Sequence, residues 1–206
     1  MIIQQYNRAP LDFLVADYAM NYPFSYTPED RVVLAPYMNL AVRKSGDTLD
    51  QWLANIWRLD DQIQTYALLQ RISTRICSGL SYLRREEPGV QNATETLSYG
   101  TGSCRDFANL FVEAARRLGL AARFVSGYHH APPSNVDFGA THAWAEVYLP
   151  GAGWKVFDPT LNEIAGTNHI AVAVARLPES VPPIAGSFFG AAAASLDVGV
   201  WVTELS

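Results

Sequence analysis

The clearest structural signal of this 206-residue chain is the stretch Ser103-Cys-Arg-Asp-Phe-Ala-Asn-Leu-Phe-Val-Glu-Ala-Ala-Arg-Arg-Leu-Gly119. Ser103 can cap the free amides of a first helical turn, and Asp106, three residues later, can complete a capping box. Apolar residues then recur every three or four positions, two arginines follow, and Gly119 can end the helix. These signals predict a helix that begins at Ser103 and buries one face in a core.

Cys104 lies in the first turn of this predicted helix. The thiolate is the reactive form of cysteine, and helix amino termini and neighbouring histidinium groups can lower thiol pKa values from ~8.5 to as little as ~3.5. The position therefore indicates a reactive cysteine and calls for a histidine nearby. Cys77 is the other cysteine of the chain, and it falls beside the apolar stripe of an upstream helix, which predicts a buried core residue.

Composition limits the class of protein. The chain is 49% hydrophobic and 17% charged, which excludes a disordered protein, and it has no run of ~18 apolar residues that could span a bilayer. A formal net charge of -5 disfavours nucleic acid and anionic membranes as partners. Two cysteines are too few for a disulfide scaffold or a zinc site built on thiolates, and no export signal is recognisable. We therefore expect a cytoplasmic protein.

Helix signals dominate the first hundred residues, and strand signals dominate the chain after Gly119. Helices are predicted over residues 11–20, from Thr27-Pro28 to Tyr37, and along the apolar stripes between 47 and 82. Residues 87–102 are rich in Gly, Asn, Thr and Ser and are predicted to form a loop. Strands are predicted over residues 123–128, 142–149, 154–158, 170–175 and 198–203, with a turn at 150–153.

Four histidines could pair with the cysteine: His129, His130, His142 and His169. Of these, His142 begins a predicted strand directly after a loop, which holds an imidazole at a sheet edge beside a cleft. His129 and His130 precede two prolines and could form a metal site with Asp137, but the ligands are few and their spacing is irregular. We interpret the two histidines as loop residues that line the cleft.

A third group must orient the histidine ring, and the predicted hairpin offers one. It returns the strand that ends at Asp158 alongside His142, while Glu146 shares the His142 side of its strand and is the alternative. A nucleophile on a helix tip, a histidine at a strand start and an acid one hairpin later fit the logic of covalent catalysis. Asp106, beside the cysteine, is predicted to be a helix cap rather than a catalytic acid.

Four blocks of sequence contain these residues in order. They are Gly102-Ser-Cys-Arg-Asp-Phe-Ala108, Ala122-Arg-Phe-Val-Ser-Gly-Tyr128, Thr141-His-Ala-Trp-Ala-Glu-Val147 and Gly153-Trp-Lys-Val-Phe-Asp-Pro-Thr160. Together they resemble the transglutaminase-like superfamily of papain-fold cysteine enzymes, in particular its bacterial members proposed to be cysteine proteases. The likeness continues through Asn168-His-Ile-Ala-Val-Ala173 and Val181-Pro-Pro-Ile-Ala-Gly186. It implies an α+β papain-like fold, with N-terminal helices and a nucleophile-bearing helix packed on an antiparallel β-sheet.

The resemblance also implies a catalytic set. In that family the cysteine of the first block is the nucleophile, the histidine of the third is the base and the aspartate of the fourth orients it. These roles fall on Cys104, His142 and Asp158, so the resemblance favours Asp158 over Glu146. It implies no cofactor and no metal, and the calcium dependence of animal members is not carried over.

Trp144 and Trp154 are expected to contact the substrate. Trp144 could border a substrate groove on the His142 side of its strand, and Trp154 could shield the catalytic pair from water. For both tryptophans the alternative is a place in the core.

The implied function is cysteine-dependent acyl transfer on peptide or amide substrates through a thioester, and we expect hydrolysis. Transglutaminase-type amide exchange and a non-catalytic protein-binding module are the alternatives. A disulfide between Cys77 and Cys104 is disfavoured in a chain without an export signal. The expected partner is a peptide or protein substrate, and the sequence specifies neither its identity nor the oligomeric state.

The length favours one domain. We expect a single transglutaminase-like catalytic domain over residues 1–206, with a helical part (1–86), a catalytic core (87–165) and C-terminal strands (166–206). Members of this group usually carry a β-rich segment ahead of the helices, and we expect that this chain lacks it.

Overall fold

Helices and an antiparallel sheet make up the fold, as seen in a computed structural model that describes residues 2–4, 11–40, 46–85, 87–130, 141–163, 166, 168–187, 189–190 and 199–202. The α-helices are Pro28–Met38 (α1), Gly46–Ala54 (α2), Thr65–Gly79 (α3), Ala93–Tyr99 (α4) and Cys104–Arg117 (α5). The strands are Asn21–Tyr22 (β1), Ile63–Gln64 (β2), Ser81–Tyr82 (β3), Thr101–Gly102 (β4), Ala122–His129 (β5), Thr141–Leu149 (β6), Gly153–Phe157 (β7) and His169–Ala175 (β8). The predicted α+β class is confirmed.

The main sheet has four strands in the order β7-β6-β5-β8, and each neighbouring pair is antiparallel. Two short pairs lie outside it: β1 with β2, antiparallel, and β3 with β4, parallel. The predicted strands over 123–128, 142–149, 154–158 and 170–175 are thus confirmed within one or two residues. The predicted strand over 198–203 is wrong for residues 199–202, which form no strand, and its two ends lie outside the described residues.

Helix α5 is the centre of the core. Ser103 is its N-cap, and the capping box with Asp106 is present as predicted. Gly119 has a φ of 78°, the left-handed conformation that ends a helix. The ring of Phe111 stacks on that of Phe157 in β7 with centroids 5.2 Å apart. The helix therefore packs closely on the main sheet, and its N-terminus has a fixed place.

Helix α4 corrects the predicted loop over 87–102. Asn92 caps it by accepting a hydrogen bond from the backbone N–H of Glu95 at 3.0 Å, and the Glu95 carboxylate accepts one from the backbone N–H of Asn92 at 2.9 Å. Gly100, with a φ of 68°, ends the helix. Asn92 with Glu95 is a helix start signal, and Gly100 is a helix stop signal, so the sequence itself indicates this helix.

Residues 11–20 correct a second prediction, because only Asp17–Ala19 form a short 3-10 helix. The backbone N–H of Ala16 donates to the carbonyl of Pro150 at 2.7 Å, in the turn between β6 and β7. This long-range bond holds the segment in an extended form.

The apolar stripe over 47–82 is divided into two helices, α2 and α3. They are separated by a turn in which the Asp61 carboxylate accepts a hydrogen bond from the backbone N–H of Arg58. The predicted helix from Thr27-Pro28 is confirmed as α1.

In the described part of the chain, no helix has the length and apolar character needed to cross a membrane.

Gly127 is required where β8 changes register against β5, between Ser126 and Gly127. A Cβ at this position would lie 2.7 Å from the Trp144 ring and would overlap the carbonyl oxygen of Ile170. Gly127→Ala should therefore lower the free energy of unfolding in urea by about 1–3 kcal/mol, the usual cost of overpacking. Gly79→Ala is the control: the nearest atom to its Cβ would be 4.0 Å away, so this helical site should be neutral or slightly stabilised. Equal stability of the two variants would contradict the packing described for Gly127.

Candidate functional site

The site is built on a contact between His142 and Asp158. His142 is the second residue of β6, and Asp158 directly follows β7. The pairing of Ala145 with Phe157 brings the end of β7 back beside the start of β6. As a result, His142 Nε2 lies 2.6 Å from Asp158 Oδ2. The Asp158 side chain has no exposed surface, while 11% of the His142 side chain is exposed.

Both oxygens of the Asp158 carboxylate accept hydrogen bonds. Oδ1 accepts from the backbone N–H groups of Thr160 (2.9 Å) and Leu161 (3.1 Å). Oδ2 is 2.6 Å from His142 Nε2 and 2.9 Å from His169 Nε2. Burial alone would raise the pKa of Asp158, but the hydrogen bonds and charges of the two histidines outweigh burial and hold this pKa well below its usual range. Asp158 is therefore an ionised carboxylate in the interior.

Cys104 contacts the same histidine. Burial alone would lower the pKa of His142, but its hydrogen bonds with Asp158 and Cys104, and the negative charges of both groups, raise the pKa to about 10. His142 is consequently protonated at neutral pH. Because Nε2 is held by Asp158, the other ring nitrogen, Nδ1, is available to the Cys104 thiol. Cys104, His142 and Asp158 are therefore neighbours in the structure, and their catalytic roles stay a prediction.

The position of Cys104 is fixed by the cap of α5. Cys104 is the first residue of this helix, directly after the N-cap Ser103. The buried Asp106 accepts hydrogen bonds at 2.8 Å from the backbone N–H and the hydroxyl of Ser103, from the backbone N–H of Gln91 and from the guanidinium of Arg85. This confirms the interpretation of Asp106 as a cap. It also ties the segment before α4 to the helix tip that carries the cysteine.

Glu146, the alternative orienter, has a different partner. Its carboxylate accepts a hydrogen bond from Arg123 Nε at 2.6 Å, across the β5–β6 pair. The Arg123 guanidinium also lies over the ring of Trp154, 4.2 Å from the ring centroid. Glu146 is therefore paired with Arg123 farther along the sheet, and Asp158 is the acid beside His142.

Trp144 lies beside His142 as predicted but is buried, and Trp154 lies far from His142. Trp144 is only 1% exposed, and its ring packs 5.9 Å from that of His142 and 5.1 Å from that of His169, so it supports the histidines from the core. Trp154 pairs with Tyr148 of β6. Tyr148 is six residues after His142 in the same strand, which puts the two about 20 Å apart at a rise of ~3.3 Å per residue. The register rules out the predicted role of Trp154 as a shield, and the burial of Trp144 leaves it no surface for a substrate.

Cys77 is not the buried core residue that was predicted. It is partly exposed, and its thiol donates to the carbonyl oxygen of Thr160 at 3.3 Å. In the same helix, the Ser73 hydroxyl donates to the Asp158 carbonyl at 3.2 Å. Helix α3 thus holds the turn that follows Asp158. Both cysteines are free thiols, so the structure contains no Cys77–Cys104 disulfide.

Of the remaining histidines, His169 contacts Asp158, whereas His129 and His130 have other partners. His130 is partly exposed, and its backbone N–H donates to the carbonyl of Asn168. His129 lies at the end of β5, with Nε2 3.5 Å from the Glu163 carboxylate. His169 is the site residue that the sequence did not single out for a role, although it lies in the tail segment that carries the resemblance. The metal site considered for His129 and His130 depended on Asp137, which lies outside the described residues.

Among the described residues, His142, Asp158 and His169 form the group best suited to a metal ion, since their ligand atoms all lie within 4.8 Å of one another. However, the separations of 2.6 Å and 2.9 Å are those of hydrogen bonds. A zinc ion needs each ligand atom about 2.0–2.2 Å away, which would force the three groups apart. The observed geometry is that of a hydrogen-bonded network.

Comparison with known proteins identifies the family of this chain. The model of the transglutaminase-like superfamily matches residues 57–159, half of the chain, and this range includes Cys104, His142 and Asp158. The chain belongs to the transglutaminase-like superfamily. The resemblance inferred from four sequence blocks is therefore confirmed, and so is the predicted fold class.

Relatives of this transglutaminase-like chain occur in mycobacteria. An uncharacterized protein of Mycobacterium leprae is 32% identical over 133 residues, which cover 63% of this chain and 47% of that protein. An uncharacterized protein of Mycobacterium tuberculosis is 33% identical over 131 residues, covering 59% and 42%. The chain spans less than half the length of these relatives. Among solved structures, a proposed cysteine protease from Cytophaga hutchinsonii has the same fold, with a TM-score of 0.57 and 23% identity over 71% of this chain and 48% of that one.

The ionised pair predicts how stability depends on pH. In the folded protein the pKa of His142, about 10, is higher than its ordinary value of 6.5, so the stabilisation is complete below pH ~6.5 and is lost as pH rises through the folded pKa. The stability difference between wild type and His142→Gln should therefore shrink between pH ~6.5 and ~10. The decrease should be about 1.4 kcal/mol for each unit by which the pKa of His142 in the folded protein exceeds its ordinary value. Urea unfolding of both proteins at several pH values measures this difference.

His130→Gln is the matched control, because it removes a partly exposed histidine and should leave the pH dependence of the wild type unchanged. If the stability difference between wild type and His142→Gln stays constant over this range, the protonated state assigned to His142 is wrong.

Proposed function

We propose that this chain is a cysteine-dependent acyl-transfer enzyme that hydrolyses peptide or amide bonds through a thioester on Cys104. The observation that supports the proposal is the place of His142, which is protonated and lies between the Cys104 thiol and the buried carboxylate of Asp158. An imidazolium beside a thiol favours the thiolate, which is the nucleophilic form. A scaffold used only for binding has no need of these three groups together.

In the first step, Cys104 Sγ attacks the carbonyl carbon of the substrate, and the carbonyl oxygen becomes an oxyanion. Cys104 is the first residue of α5, where backbone N–H groups have no partner within the helix. The N–H of Cys104 is thus in position to donate to the oxyanion, an interaction usually worth ~2.7–4 kcal/mol. The positive end of the helix dipole adds to this stabilisation.

In the second step, His142 donates the proton of the nitrogen that faces the thiol to the departing amine. The carbon–nitrogen bond breaks, the amine leaves and the acyl group remains on Cys104 as a thioester. His142, now neutral, accepts a proton from an attacking water; the carbon–sulfur bond then breaks, which releases the acid and restores the thiolate–imidazolium pair. Throughout these steps, Asp158 holds Nε2 and thereby the tautomer of the ring.

A primary amine can replace water in the last step, which would give amide exchange in place of hydrolysis. The thioester and the three residues are the same in both reactions, so only the acceptor separates a hydrolase from a transglutaminase. We favour hydrolysis, because water reaches a partly exposed Cys104 without a dedicated acceptor site.

Matched serine variants test this proposal. Peptide and glutamine-containing substrates are incubated with and without a primary amine, and products are identified by mass spectrometry. Cys104→Ser should lower kcat by at least ~10³, because the nucleophile is lost. Cys77→Ser is the control: it keeps a donor for the Thr160 carbonyl and should retain activity. Turnover by Cys104→Ser at the wild-type rate would exclude Cys104 as the nucleophile. If the main product is an amine adduct, the reaction is amide exchange and not hydrolysis.

A further inference from the structure

Asp158 Oδ2 is shared by two histidines, and only one of them faces the thiol. His169 Nε2 lies 2.9 Å from the same oxygen that contacts His142. We propose that His169 is a positioning residue, whose N–H holds Asp158 Oδ2 toward His142 and so keeps the His142 ring directed at Cys104. The proposal rests on the function proposed above, but it adds a residue that takes no part in the proton transfers.

His169 is itself held firmly. It is the first residue of β8 and pairs with His129 of β5 across the sheet. Its ring packs edge-on against Trp144, with centroids 5.1 Å apart and planes at 85°, and only 3% of its side chain is exposed. The absence of a Cβ at Gly127 leaves the space in which Trp144 and β8 approach each other. The donor is thus anchored in the core, by its pairing with β5 and by the buried ring of Trp144.

The chemistry of the carboxylate explains why a second donor matters. A carboxylate only accepts hydrogen bonds, so both histidines must present an N–H to Oδ2. The amides of Thr160 and Leu161 fix Oδ1, but a carboxylate held at one oxygen can still turn about that point. His169 fixes the second oxygen. A buried carboxylate also requires donors at all times, and the N–H of His169 is a donor that is not used in the proton transfers of His142.

Alkylation of Cys104 reports on this arrangement without any substrate. Iodoacetamide reacts with the thiolate, so its rate at pH ~6 measures how well the imidazolium stabilises that thiolate. Peptide mass spectrometry gives the rates at Cys104 and Cys77 separately in each protein. In wild type, Cys104 should react faster than Cys77.

Gln and Met at position 169 form a matched pair. They have similar length and volume, but only Gln offers an N–H near the place of His169 Nε2. His169→Gln should keep the Cys104 rate within about twofold of wild type. His169→Met should lower it about tenfold, as a loss of one pKa unit in thiolate stabilisation would. Circular dichroism confirms folding, and His169→Asn, whose shorter amide does not reach Oδ2, replaces His169→Met if that variant does not fold.

A double-mutant cycle separates positioning from packing. In an Asp158→Asn background, the change from Gln to Met at position 169 should have no further effect on the Cys104 rate, because His169 acts only through the carboxylate. Equal rates for folded His169→Gln and His169→Met, or additive effects with Asp158→Asn, would overturn the role of His169 and leave the proposed function in place. A wild-type Cys104 that reacts no faster than Cys77 would instead refute the proposed function.

Discussion

The ionised carboxylate of Asp158, buried without any exposed surface, is the constraint on which the site depends. Removing a carboxylate from water is costly unless donors replace the water, and here two backbone amides and two histidines do so. These donors come from the turn after β7, from β6 and from β8, while α3 holds the turn through Ser73. The need to satisfy one charge thus brings together parts of the chain that are distant in sequence.

A second buried carboxylate, Asp106, does the same for the helix tip. It binds its own N-cap and also the segment before α4, through Gln91 and Arg85. The first turn of α5 is therefore held at its cap, and the packing of this helix on the sheet positions Cys104 relative to the start of β6. Cys104, His142 and Asp158 are consequently each placed by a regular element of the fold and by hydrogen-bonded polar groups, as the proposed catalysis requires.

Local signals in the sequence predicted the main helix, the hairpin and the residues at their ends. The capping box at Ser103, the strand start at His142 and the hairpin to Asp158 are encoded within short windows, and the structure contains all of them. Helix α4 carried equally clear signals at Asn92, Glu95 and Gly100, but the polar composition around them favoured a loop. What local patterns could not reveal was set by long-range contacts. The extended segment near Ala16 follows from its bond to Pro150, Trp154 was misplaced because the strand register was unknown, and His169 reaches Asp158 only because β8 lies beside β5.

In the site described here, His142 is an imidazolium held between Asp158 and Cys104. An NMR titration of the His142 ring nitrogens in wild type and in Cys104→Ser measures this state directly. We expect that the wild-type ring stays protonated through neutral pH, with a pKa far above 6.5, and that this pKa falls in Cys104→Ser, where the interaction with the Cys104 sulfur is lost. If the His142 ring titrates near 6.5 in both proteins, His142 is not the imidazolium described here.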